Sequence, residues 1–202
     1  MKFSTLLQAF ALASTAVAQF DVQSAPFKLV LLSSDCELNG TLLITCHEGA
    51  AIEGLCLGDK DGATPSINEV FHFNYSSEPF DNRTYNIPGY VTWILPASNI
   101  NVSSALGLNY SPTSNVAIPL FFPGSDFGTT MSFDMYEYLN VQGYIDDTKT
   151  PINGQGNTFV EYRWHLCDTY WGYAYTTLAW VLGKGKPQNP TCTKVKVKRV
   201  FI

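Results

Sequence analysis

The 202-residue chain carries 12 Lys and Arg against 17 Asp and Glu, a formal charge of −5, and 14% of its residues are aromatic. So acidic a chain excludes a dedicated nucleic-acid binder, which needs clustered cations to displace phosphate counterions. A hydrophobic share of 46% excludes a disordered polar chain, since it supplies enough apolar surface for a core.

Met1-Lys2 carries one positive charge, an uncharged apolar stretch runs from Phe3 to Val17, and Ala16-Val17-Ala18 supplies the small residues of a cleavage site. This is the pattern of a secretory signal peptide, so residues 1–18 are expected to be a leader and 19–202 a single domain. The stretch is shorter than the roughly 20 residues that a spanning helix needs. No later run is long enough either, so no membrane span is expected. Four sequons fit an exported chain: Asn39-Gly-Thr41, Asn74-Tyr-Ser76, Asn82-Arg-Thr84 and Asn101-Val-Ser103. Asn189-Pro-Thr191 fails because proline holds the middle position. In an oxidising compartment the five cysteines are expected to form two disulfides, Cys46–Cys56 and Cys167–Cys192, because each pair flanks a short returning segment. Cys36 is then the odd thiol. Neither C-x-x-C nor H-x-x-x-H occurs, and no metal or cofactor is expected.

From Phe27 onward, short apolar or alternating runs are separated by Gly, Pro, Asn, Asp and Ser clusters, with almost no helical period. In chain order the pattern predicts strands at 27–33, 41–47, 52–57, 69–75, 90–95, 105–110, 116–122, 130–136, 138–145, 159–167, 175–182 and 194–202. About twelve short strands make an all-β domain, for which a β-trefoil is preferred over a β-sandwich or jelly roll.

Four segments invite a chemical reading. The first is Cys46-His-Glu-Gly-Ala-Ala-Ile-Glu-Gly-Leu-Cys56, where His47, Glu48 and Glu53 lie close in sequence. Neighbours on a strand point to opposite faces, so His47 and Glu48 should not converge, and a disulfide-closed hairpin is favoured. Asp146-Asp147 reads as a turn former beside a solvated acid, because a glycosidase needs two carboxyls facing across a cleft. The run from Tyr162 to Tyr175 is dense in aromatics. Within it Trp171-Gly172-Tyr173 should fall in a loop, which makes Tyr170, Trp171 and Tyr173 the candidate ligand-facing patch; aromatics in strands otherwise fill the core. Finally, Lys194, Lys196 and Lys198 alternate with Val195 and Val197, so three ammonium groups share one strand face. Such lysines commonly protect an edge strand from stray pairing, and with Lys184 and Lys186 they also suit an acidic polysaccharide or lipid headgroups. No G-x-S-x-G elbow is present, and a Cys–His nucleophile is disfavoured in an oxidising route.

Phe27-Lys-Leu-Val-Leu-Leu-Ser33, the Cys46–Cys56 segment, Tyr162-Arg-Trp-His-Leu-Cys167, Tyr175-Thr-Thr-Leu-Ala-Trp-Val-Leu-Gly183, Lys186-Pro-Gln-Asn-Pro190 and the closing Val-Lys-Arg-Val-Phe-Ile together resemble a family of small secreted proteins of filamentous ascomycete fungi, known only as a domain of unknown function. The resemblance covers nearly the whole mature chain. It implies a fungal extracellular or cell-wall protein and brings no catalytic residues with it. The expected function is a secreted, N-glycosylated protein that binds extracellular polysaccharide or a host surface, in the manner of an effector. A secreted glycoside hydrolase and a trefoil-type protease inhibitor are the alternatives.

Overall fold

The computed structural model describes residues 20–60, 65–77, 84–125, 128–152 and 158–202; the leader segment and the Asn82 acceptor lie outside the described residues. The first strands are Val22–Gln23 (β1), Phe27–Leu32 (β2), Leu42–His47 (β3), Glu53–Leu57 (β4) and Phe71–Tyr75 (β5), the last preceded by a 3-10 turn at Ile67–Glu69. Gly89–Ala97 (β6), Ile100–Tyr110 (β7), Val116–Phe121 (β8), Met131–Phe133 (β9) and Leu139–Gly143 (β10) follow. Phe159–Glu161 (β11), Trp164–Tyr170 (β12), Ala174–Val181 (β13), Thr193–Lys194 (β14) and Lys196–Phe201 (β15) complete the chain. The fold is all-β. Each of the twelve runs read from the sequence contains a strand, and two of those runs divide because the chain changes partner within them. Glu161 pairs with Val141 on β10, whereas Trp164 pairs with Trp180 on β13. Likewise β14 pairs with β12 and β15 with β2.

The strands close on themselves. Following hydrogen-bonded neighbours leads through β5, β2, β3, β4, β13, β8, β7 and β6, then back to β5 along the Phe71↔Trp93 to Tyr75↔Gly89 register. A ring of eight strands leaves no open edge within itself, which removes a site for stray pairing. Its closing pair demands a glycine. A Cβ on Gly89 would lie 2.4 Å from the Asn74 carbonyl oxygen and 2.6 Å from the Phe73 ring. Outside the ring, β15 lies along β2 and β12 along β13.

Period-two alternation sends one face of each strand inward. Phe27, Leu29 and Leu31, then Phe71 and Phe73, Val91 and Trp93, Trp164 and Leu166, Leu178 and Trp180, and Val195 and Val197 all join one buried cluster. Two buried indoles keep their N–H groups satisfied: Trp164 donates to the Leu139 carbonyl at 2.8 Å and Trp93 to that of Ile67 at 3.0 Å. The lysines of the C-terminal strand alternate with buried valines as the sequence pattern requires, Lys194 and Lys196 being exposed.

Candidate functional site

β12 and β13 form a long antiparallel ribbon, in register from Trp164↔Trp180 to Tyr170↔Ala174. Two different surfaces occupy its two ends. At the far tip, Trp171–Tyr173 make the turn, and the Trp171 N–H donates to the Tyr173 carbonyl at 3.2 Å. Tyr170 is 72% exposed, Trp171 39% and Tyr173 51%, so the turn keeps its aromatics out of the core.

What holds the tip is a carboxylate on another hairpin. Glu48, only 3% exposed, uses Oε2 to accept the N–H groups of Gly172 and Tyr173, each at 3.2 Å. Contact here is so close that a Cβ on Gly172 would sit 2.0 Å from the Glu48 carbonyl oxygen, so glycine is required. Glu48 is itself placed by the β3–β4 turn, which passes Gly49, Ala50 and Ala51 through positive φ of 97°, 50° and 61°. Two successive alanines in that region are strained, and the surroundings must hold them there. The Glu48 N–H bond to the Ile52 carbonyl at 2.8 Å and the Cys46–Cys56 disulfide close the hairpin around them.

The candidate aromatics do not all meet. The Tyr173 ring lies 6.1 Å from the His47 ring and 6.2 Å from that of Tyr175, forming a strip. Tyr170 shares its strand face with Asp168 and Thr176, whose side chains bond at 2.6 Å, so alternation turns it away from Tyr175. His47, read from the sequence as structural, belongs to the strip. Its acidic neighbour is the cross-strand residue Glu53, with Nδ1 to Oε1 3.1 Å, and not the adjacent Glu48. The signal available in advance was period two: Tyr173 and Tyr175 stand two residues apart and share a face.

At the near end of the ribbon two cavities of about 510 and 400 Å³ share Glu161, Arg163, Gly183 and Lys184. The larger adds Asp146, Asp147, Thr148 and Lys149, and the smaller adds Tyr162, His165, Lys186 and Lys194. Within the first, Lys149 meets Asp146 at 2.9 Å. The Thr148 hydroxyl foremost, with Lys149 beside it, brings the Asp146 carboxyl down to about 2. This is the turn-forming role expected of Asp146, and Asp147 lines the cavity beside it. Arg163 holds Glu161 through both carboxylate oxygens, at 2.7 and 3.2 Å. The Tyr162 phenol donates to Asp134 at 2.9 Å; burial first, and Asp134 second, push it up to about 12.

Residues 24–201 match the family model described as a domain of unknown function, DUF7907. The chain belongs to the DUF7907 family. No curated protein and no solved structure matches it. The matched span of this DUF7907 chain takes in the closed ring, both disulfides and both ends of the β12–β13 ribbon.

Four cysteines of the DUF7907 chain are joined as the spacing suggested, Cys46 to Cys56 and Cys167 to Cys192, and Cys36 is an exposed free thiol. Asn39 and Asn101 are exposed, while Asn74 is half-buried on β5 with its Oδ1 accepting from Gln23 at 3.1 Å. A third cleft, about 330 Å³, escaped the sequence reading. It is walled by Phe73, Tyr75, Tyr85, Phe133 and Phe201 around Arg199. The Arg199 guanidinium stacks 4.1 Å from the Phe133 centroid, and its Nε donates to Glu137 at 2.6 Å. Its charge is thus already matched within the fold. No helix among the described residues is long and apolar enough to cross a membrane, and no metal-ligating cluster occurs among them.

Proposed function

We propose that this is a secreted, N-glycosylated fungal extracellular or cell-wall protein that binds polysaccharide without transforming it. The observation that carries this reading is the aromatic strip of His47, Tyr173 and Tyr175, beside the exposed Trp171 of the same turn, which the buried Glu48 carboxylate holds at the surface. Flat rings with one apolar face in water offer a stacking platform for pyranose rings, and a turn fixed before binding loses little entropy when it binds. Two disulfides suit an oxidising compartment. The exposed Asn39 and Asn101 suit glycan attachment. The trefoil-like reading of the fold stays part of the proposal, its support being a closed ring in place of the two open sheets of a sandwich.

Retention on insoluble chitin, β-glucan, cellulose and mannan tests the reading. Wild type should be retained on at least one matrix, and Trp171→Ala and Tyr173→Ala should each weaken retention roughly tenfold, the loss of one buried ring contact. Equal retention of all three proteins, or none on any matrix, overturns it.

A further inference from the structure

The 183–192 loop, at the near end of the ribbon, is held more firmly than a surface connection requires. Asn115 clamps it on both sides. Its Nδ2 donates to the Lys186 carbonyl at 2.9 Å, and its Oδ1 accepts the Gln188 N–H at 2.8 Å. The Asn115 N–H donates in turn to Gln188 Oε1 at 2.8 Å. Further along, Asn189 donates to the Asp168 carbonyl at 2.8 Å, Thr191 accepts the Asp168 N–H at 2.9 Å, and Cys192 is bonded to the buried Cys167. A loop tied at so many points presents its side chains from fixed positions.

Those side chains are cationic. Of the charged residues lining the two joined cavities, Lys149 is matched by Asp146 and Arg163 by Glu161. Lys184, Lys186 and Lys194 have no acidic partner among the described residues; Lys184 reaches only the Thr148 hydroxyl, at 3.5 Å. Lys194 continues into a neighbouring cavity of about 390 Å³ that adds Lys196, Ser33, Ser34 and Tyr138. Three unmatched lysines around one groove, on a chain whose net charge is −5, form a local reversal of sign. With Asp146 and Glu161 engaged by Lys149 and Arg163, the lysines outnumber the remaining acid, Asp147, and an excess of one sign in a cleft attracts ligands of the other.

We propose that this groove recognises a carboxylate-bearing polysaccharide, with uronate groups on Lys184, Lys186 and Lys194 and sugar hydroxyls on Asp146, Asp147 and Thr148. Mixed lining selects this class. Asp147 would repel the closely spaced phosphates of a nucleic acid, whereas a sugar chain sets hydroxyl donors, which the Asp146 and Asp147 oxygens can accept, between its carboxylates. An anionic membrane surface would use a flat basic face, and these lysines surround a concavity. The inference deepens the polysaccharide reading by naming a substrate class, but it rests on a separate surface from the aromatic strip.

The test is equilibrium binding of the full secreted protein to polygalacturonate, to the same polymer fully methyl-esterified, to inorganic phosphate and to phosphatidylserine vesicles. Polygalacturonate should bind, binding should weaken as salt rises, and esterification should abolish it. Lys186→Ala with Lys194→Ala should weaken binding roughly tenfold or more, as loss of charge partners at a recognition surface does. The exposed ammonium groups can be removed without touching the core, so an unchanged melting temperature would show the variant folded; should it fail to fold, Lys186→Gln alone serves the same comparison. Equal binding of the esterified polymer, preference for phosphate or vesicles, no binding at all, or an unaffected double variant would each overturn the proposal. Trp171→Ala separates the two readings. It should leave polygalacturonate binding intact while weakening retention on neutral glucans.

Discussion

At the Trp171 end of the β12–β13 ribbon, a buried carboxylate holds rings in place; at the Arg163 end, a disulfide and an asparagine clamp hold lysines in place. Each end has its own cross-link. Cys46–Cys56 closes the hairpin that carries Glu48 and His47, and Cys167–Cys192 anchors the loop that carries Lys184 and Lys186. The difference lies in how each surface meets a ligand. Stacking on Tyr173 and Trp171 involves no charge and should tolerate salt. Attraction to the lysines acts through solvent and is screened within about 10 Å at 0.1 M salt. On the two proposals one ribbon would carry two kinds of recognition, and each can be broken without the other.

The largest break is at the lysine end. Cys167–Cys192 spans a separation of 25 residues, for which chain entropy gives about 3.5 kcal/mol. Replacing both cysteines by serine should lower the denaturation free energy by about that amount. It should also loosen the basic groove more than the aromatic strip. Cys46–Cys56 closes 10 residues, worth about 2.7 kcal/mol by the same reckoning. Its removal should reverse the pattern, weakening retention on neutral glucans and sparing polygalacturonate. Urea midpoints combined with the two binding assays read both outcomes, and identical effects on both ligands would dissolve the distinction between the ends.

Glu48→Ala comes next. Two N–H groups would lose a charged acceptor in a part-buried site, a destabilisation of about 2 kcal/mol. The tip should then move freely, and amide exchange at Gly172 and Tyr173 should accelerate while that of Leu166 and Leu178 does not. Unchanged exchange at the tip would show that Glu48 is not what fixes it.

How much of this the residues disclose in advance depends on the distance over which the information is carried. Strand positions are local, and alternation in Phe27-Lys-Leu-Val-Leu-Leu or Val195-Lys-Val-Lys exposes them directly. Both cysteine pairings were legible for the same reason, each being closed across a short returning segment. Ring closure through β5 and β6 was not legible. It depends on the approach of Gly89 to Phe73, 16 positions earlier, and the same inventory of strands serves several arrangements. The Glu48–Gly172 contact joins positions 124 apart, so adjacency drew attention to His47 and Glu48 together when each faces a different partner. The groove depends on Asn115 reaching Lys186 and Gln188, and an asparagine before a strand looks like any other turn residue until the fold brings that loop to it.

The smallest expected effect lies on the barrel wall and belongs to neither end. His72 on β5 is half-buried; its Nδ1 has no hydrogen-bond partner, and burial lowers its pKa from the ordinary 6.5. The unfolded chain then binds a proton near neutrality that the folded chain resists, so stability is complete above about 6.5 and declines as pH falls below it. Asp146 acts in a lower window. Its carboxyl, held at about 2 against an ordinary 3.8, contributes stability above 3.8 that is lost as pH falls through 2. Acid titration of the urea midpoint should therefore show a shallow loss that begins as pH falls below about 6.5, followed by a separate one below 4. His72→Gln should flatten the first and leave the second. If the first loss survives that substitution, His72 is not the group that takes the proton.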